Sequence, residues 1–244
     1  MKRGITYSFL FWAVFLSCLY MQGNPMILIG HRGAAAVEPE NTLISFEHAI
    51  RKGVDMIELD VHQCASGQLV VIHDYTVDRT TNGSGYVSNL TLDQIKMLDA
   101  DKGQKIPTLI EALDFIDRRC KVNIELKGKH TANLVAQTII HYVETKGWSY
   151  DYFVVSSLDR FEILHFNSFL PVVPTGAIVE NILVPMIKKL PFKYLIIDKK
   201  NVTEDIVNVA HENNKFVLVY TVNDPEDVEA LEYLEVDGIF TDSP

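Results

Sequence analysis

Glu58 and Asp60 stand two residues apart in Ile57-Glu58-Leu59-Asp60-Val61, and Glu125 and Lys127 repeat that spacing in Ile124-Glu125-Leu126-Lys127. Residues two apart on an extended strand project to the same face. Both runs are otherwise aliphatic, so each reads as a strand with paired polar groups on one side. If the two strands lie together, three carboxylates converge, and they repel one another unless a cation sits among them. Oxygen-only ligands favour a hard divalent ion, Mg2+ or Ca2+, over zinc. His31-Arg32 follows one short apolar run, and His73-Asp74 ends another. Two imidazoles of ordinary pKa, about 6.5, can divide the roles of general base and general acid. Arg32 and Lys127 offer fixed positive charge for phosphate oxygens. The expected site is a divalent cation among Glu58, Asp60 and Glu125, with His31 and His73 able to move protons beside two cations that suit a phosphate.

These groups need strands to carry them to one place. From Met26 onward, short apolar runs alternate with amphipathic stretches. Strands are expected at 26–30, 55–61, 69–73, 121–127, 152–156, 172–176, 194–198, 216–220 and 238–241. Helices are expected at 42–51, 108–118, 132–146, 159–167, 204–213 and 225–234. Such alternation implies a parallel sheet with right-handed crossovers. Without 69–73 the strands number eight, which closes a (β/α)8 TIM barrel, where reactive groups gather at the C-terminal strand ends. The competing open doubly wound sheet expects a Gly-rich phosphate loop, and Gly30-His31-Arg32-Gly33 lacks its third glycine. The stretch 75–104 breaks the alternation with Asn82-Gly83, Ser84-Gly85 and Lys102-Gly103. It reads as a small insertion after the second strand, with one short helix at 92–98.

Some residues carry two readings at this stage. Glu40 either starts a helix with Asn41 or Thr42 as its cap, or reaches the site. Asn223 either lines the pocket or caps the helix after it. His62 shares a face with Asp60 and reads as a rim residue. His48, His130, His141, His165 and His211 have no supporting pattern. Cys18, Cys64 and Cys120 form no CxxC pair, which leaves little room for a zinc cluster or a disulfide framework. The chain of 244 residues has a formal net charge of −10, which argues against nucleic acid as a partner. It does not argue against a phosphate substrate, because a bound cation inverts the local field.

The motifs His31-Arg32-Gly33-Ala34, Pro39-Glu40-Asn41-Thr42 and Gly53-Val54-Asp55-Met56-Ile57-Glu58-Leu59-Asp60 occur in that order. They continue through Val71-Ile72-His73-Asp74, Arg79-Thr80-Thr81-Asn82-Gly83, Ile124-Glu125-Leu126-Lys127, Tyr220-Thr221-Val222-Asn223 and Gly238-Ile239-Phe240-Thr241-Asp242. From Met26 to Pro244 the chain resembles the glycerophosphodiester phosphodiesterases. The resemblance implies a TIM barrel, a divalent cation, and hydrolysis of a small glycerophosphodiester to glycerol 3-phosphate and an alcohol. It matches His31 and His73 to the catalytic pair, Glu58, Asp60 and Glu125 to the metal ligands, and Arg32 and Lys127 to the phosphate contacts. Glu40, Tyr220 and Asn223 complete the expected substrate-binding set. Tyr220 stands where the family often has Trp, so the alcohol or glycerol pocket is expected to differ. The alternatives are a lysophospholipase D on the same barrel and a non-catalytic barrel binding module.

Residues 1–25 differ from the rest. Lys2 and Arg3 precede a charge-free run from Ile5 to Met21. A basic start before an apolar stretch is the pattern of a signal peptide or membrane anchor. The expected organisation is therefore a leader at 1–25 and a catalytic domain at 26–244. That leader would mean export, or membrane association through the apolar segment. If translation starts at Met26 instead, the protein is expected in the cytoplasm.

Overall fold

The computed structural model describes residues 25–244, so the leader expectation lies, but for Pro25, outside the described residues. The strands are β1 (Ile27–Gly30), β2 (Met56–Gln63), β3 (Leu69–Val71), β4 (Lys121–Leu126), β5 (Phe153–Ser157), β6 (Thr175–Val179), β7 (Tyr194–Asp198), β8 (Phe216–Tyr220) and β9 (Gly238–Thr241). The helices are α1 (Leu43–Arg51), α2 (Leu92–Met97), α3 (Leu109–Ile116), α4 (Ala132–Thr145), α5 (Arg160–Phe169), α6 (Val184–Ile187), α7 (Glu204–Glu212) and α8 (Pro225–Tyr233). Among the described residues, no helix is long and apolar enough to cross a membrane.

Eight parallel strands close on themselves in the order β1-β2-β4-β5-β6-β7-β8-β9, with β9 pairing back onto β1. The register sets Asp60 opposite Glu125 and Glu58 opposite Asn123 on neighbouring strands. Parallel strands are covered on both faces and so read as near-continuous apolar runs. Here Ile29, Met56, Val154, Ile196, Leu218 and Phe240 pack as one buried cluster, while Ile57, Leu59, Val122, Ile124 and Val155 pack with α1, α3 and α4. Five of the wall helices start at side-chain caps. Thr42, Thr108, Asp159, Thr203 and Asp224 each accept a hydrogen bond from a first-turn N–H.

The structure departs most from the sequence reading at β6 and α6. The sixth strand starts at Thr175, not near residue 172. Pro171 and Pro174 have no N–H for the ladder, so pairing begins only after the second proline. The short helix α6 was not anticipated, because four residues carry no helical period. As expected, the 69–73 run stands outside the barrel: β3 pairs antiparallel with the end of β2, through a turn in which Gly67 has φ of +95°. The insertion therefore hangs from a hairpin. It carries its own apolar cluster, in which Val70, Ile72, Val77, Val87, Ile95 and Ile106 are buried.

Candidate active site

The C-terminal ends of the strands bring Glu58, Asp60 and Glu125 together. One oxygen from each lies within 4.8 Å of the others, and all three residues are buried. The backbone holds Glu58 first. Arg32 adopts φ of +52°, and its N–H donates to Glu58 Oε2 at 2.8 Å. That loop is clamped by Ser45 on α1, which receives the Ala34 N–H at 2.7 Å and donates to the Arg32 carbonyl at 2.9 Å. Gly33 permits the approach: its φ is +88°, and a Cβ there would stand 2.4 Å from Ser45 Oγ.

Asp60 is held by Asn41, whose Nδ2 donates to Oδ2 at 2.8 Å and whose Oδ1 accepts the Asp60 N–H at 3.3 Å. Thr42, not Asn41, caps the helix. Lys127 Nζ lies 2.7 Å from Glu125 Oε1 and 3.6 Å from Asp60 Oδ1, and Arg32 Nε lies 3.6 Å from Asp60 Oδ2. Glu58 Oε1 and Asp60 Oδ1 accept no hydrogen bond although both are buried. Bare buried carboxylate oxygens are costly, and a cation among them removes the cost. The three residues therefore form a group able to hold a divalent ion.

Charge state follows from this crowding. Burial pushes Glu58 well above the usual carboxylate range, and the charges of Asp60 and Glu125 add to it. Burial, then Asp60, pushes Glu125 up to about 7. Burial also works against the charge of Asp60, but Lys127 and Arg32 outweigh it, and the net direction is downward.

Each histidine is held by a carboxylate at Nδ1. His31 follows β1, and its Nδ1 lies 2.7 Å from Asp242 Oδ1. His73 follows β3, and its Nδ1 lies 2.6 Å from Asp74 Oδ1. With Nδ1 donating to the carboxylate, Nε2 is left as the free acceptor. His31 Nε2 is 4.0 Å from Glu58 Oε2. Burial holds His73 below the ordinary imidazole value, and the charges of Lys127 and Arg32 act in the same direction against Asp60 and Asp74. His62 is not at the rim. It is buried, and its Nε2 donates to the His73 carbonyl at 3.1 Å while its ring meets Tyr75 edge-on. Tyr75 and Gly128 lie against it.

Behind His73 runs a chain of charges. Asp74 takes Arg79 in a two-point grip at 2.7 and 2.9 Å, Arg79 grips Glu40 at 2.7 and 2.8 Å, and Glu40 receives Arg32 at 2.9 Å. Glu40 thus stands between two guanidinium groups. Burial opposes its charge, but Arg79 and Arg32 lower its pKa. Asn223 caps no helix. Its Nδ2 donates to Asp242 Oδ2 at 2.9 Å, and its Oδ1 accepts the Asp242 N–H at 2.8 Å, one step behind His31. Tyr220 ends β8, and its hydroxyl donates to the Val179 carbonyl at 3.1 Å.

A cavity of about 310 Å³ opens over these groups. Its charged side is formed by His31, Arg32, Glu58, His73, Glu125 and Lys127; Leu158, Ile178, Glu180, Ile196, Tyr220, Thr221 and Phe240 form the rest of the wall. Sequence reasoning missed Asn41, Asp74, Arg79 and Asp242 as parts of the site. Each lies inside a motif, but nothing in the order of residues shows that these side chains grip ligand or histidine groups from other strands.

A closed barrel with anion-binding cations, a buried acidic triad and paired histidines at one mouth defines a hydrolase suited to a charged ester. The match to known proteins is specific. The chain belongs to the glycerophosphoryl diester phosphodiesterase family, whose model matches residues 31–244. It is 34% identical over 230 residues to a glycerophosphodiester phosphodiesterase of Caldanaerobacter subterraneus, covering 89% of this chain and 94% of that protein. It is 32% identical over 237 residues to one from Bacillus altitudinis, covering 89% and 94%. Among solved structures it is similar to a phosphodiesterase of Oleispira antarctica in complex with the product sn-glycerol-3-phosphate, with a TM-score of 0.82, 27% identity, and 89% and 93% coverage. A glycerophosphodiester phosphodiesterase from Agrobacterium tumefaciens gives a TM-score of 0.78 at 26% identity, covering 90% and 97%. The protein is an enzyme that hydrolyses glycerophosphodiesters.

Proposed function

We propose that this site cleaves glycerophosphodiesters to glycerol 3-phosphate and an alcohol with a divalent cation, Mg2+ or Ca2+, held by Glu58, Asp60 and Glu125. The unpartnered oxygens of Glu58 and Asp60 support this most directly. A bound cation would polarise a phosphoryl oxygen and offset charge that develops on it. Arg32 and Lys127 orient the phosphate, and both keep their charge: burial opposes it, but the surrounding carboxylates raise both pKa values. His31 and His73 exchange protons with the attacking and departing oxygens. Asp242 and Asp74 fix each ring so that Nε2 does that work. Asn223 steadies Asp242, Glu40 steadies Arg32, and Tyr220 faces the substrate from the opposite wall. A cavity of about 310 Å³ suits a small diester.

The test is a substrate panel running from glycerophosphocholine to lysophosphatidylcholine, each assayed with and without chelator. Hydrolysis of the small diester that stops on chelation and returns with Mg2+ or Ca2+ supports this reading. Full activity in excess chelator, after metal-free preparation, removes the metal from it. A clear preference for the acylated substrate supports a lysophospholipase D instead.

A further inference from the structure

The wall across the mouth from the acidic triad has a different character. It is built from Leu158, Ile178, Ile196, Tyr220, Thr221 and Phe240, with a single charged group, Glu180. Glu180 directly follows β6, is exposed, and forms no ion pair with any described residue. Asp198, at the end of β7, also acts on Tyr220 without an ion pair among the described residues, but of the two carboxylates only Glu180 lines the cavity. The ring of Tyr220 is fixed in place because its hydroxyl donates to Val179. Burial, followed by the charges of Asp198 and Glu180, pushes that phenol up to about 12, so the carboxylates act on the Tyr220 end of the cavity.

We infer that this wall is the subsite for a cationic leaving alcohol of the quaternary-ammonium or ammonium type, with Glu180 as the specificity-determining residue. The inference rests on the proposed phosphodiester hydrolysis and names the alcohol it favours. A trimethylammonium group has an apolar surface and a diffuse positive charge. Aromatic faces and aliphatic side chains take up its methyl groups, and one unpaired carboxylate offsets its charge. A glycerol end would be a poorer match, because two neighbouring hydroxyls call for several donors and acceptors, and this wall is mostly hydrocarbon. The phosphate then spans the cations Arg32 and Lys127, and the ammonium points to the opposite side.

The experiment compares glycerophosphocholine with glycerophosphoglycerol, whose leaving alcohol is uncharged, using wild type and Glu180→Gln. The wild-type enzyme should favour the choline diester, and the ratio of the two kcat/KM values should fall about 10-fold in the variant, chiefly through KM. Choline alone should inhibit the wild type competitively, and its Ki should rise in Glu180→Gln. Glu180 is exposed, so the variant should fold, and a thermal melt checks this. If both diesters lose activity equally, the pocket takes the part they share, and the inference is overturned. An unchanged ratio with an unchanged choline Ki overturns it as well, while leaving phosphodiester hydrolysis intact. A wild-type enzyme that cleaves neither diester brings down the underlying function, and this inference with it.

Discussion

Glu58 and Glu125 are acids whose folded pKa values lie above the ordinary value of 4.5. Linkage sets the sign of their effect on stability. Below about pH 4.5 both the folded and unfolded chains hold these protons, and there is no loss. As pH rises from there through about 7, the unfolded chain releases protons that the folded one retains, so metal-free stability falls. A cation bound only to the folded form should restore it, and more so at pH 8 than at pH 5. Thermal unfolding with chelator, Mg2+ or Ca2+ at those two pH values measures this; equal metal-induced shifts at both would contradict it. The two histidines give a second prediction at this scale. His31→Ala or His73→Ala should each lower kcat by about 10²–10⁴, and the losses should not add in the double variant. A diester with a more acidic leaving alcohol needs no proton at departure, so it should rescue the general-acid variant alone. If His73 is the base, rescue appears in His31→Ala. Near-normal kcat in both folded variants would mean that the fold is present without this chemistry.

At the scale of elements, the insertion acts as a bracket. Arg79 lies on it and joins Asp74, at the end of the β3 hairpin, to Glu40, on the loop between β1 and α1. Strong hydrogen bonding to Arg79 holds Asp74 below the usual carboxylate range. The half-exposed Arg79 is a positioning residue: it touches the carboxylates that orient His73 and Arg32, not the cavity itself. Arg79→Met should therefore lower kcat by about 10–100-fold, the usual effect of losing a partner one step behind a working group. Its melting temperature should change little, because exposed ion pairs contribute at most about 1 kcal/mol. The pH profile should also shift, since Asp74 would regain a more ordinary pKa and grip His73 differently. A variant with an unchanged profile and unchanged kcat would show that the bracket is idle. The loop that carries Arg32 makes a sharper demand. Gly33→Ala adds a Cβ 2.4 Å from Ser45 Oγ at a left-handed φ, so it should destabilise the fold by about 1–3 kcal/mol and weaken activity through Glu58. Denaturant melts measure the first effect and kinetics the second.

For the whole molecule, the barrel closes by pairing β1 with both β9 and β2, and Met26 already packs with the cluster that includes Val217, Val236 and Ile239. A chain starting at Met26 should therefore fold and be fully active; failure to fold would move the domain boundary upstream. Sequence alone determined that strands and helices alternate. It also determined that Glu58 with Asp60, and Glu125 with Lys127, share a face, and that His31 and His73 end apolar runs. These are local properties, set by a period of two along a strand and by strand ends that turn polar. The start of β6 was misread because the apolar Val172 and Val173 outweighed Pro174, whose missing N–H decides where pairing can begin. Tertiary structure alone decided that Asn41 serves Asp60 and not a helix cap, that Asn223 serves Asp242, that His62 is buried, and that Arg79 joins Asp74 to Glu40. In each case the residue's type allowed more than one partner. The partner came from a segment 5 to 39 residues away in sequence, brought within hydrogen-bond reach by the closed barrel or by the hairpin and insertion that hang from it. A polar side chain's role depends on which group it meets across that distance, and no local pattern encodes it.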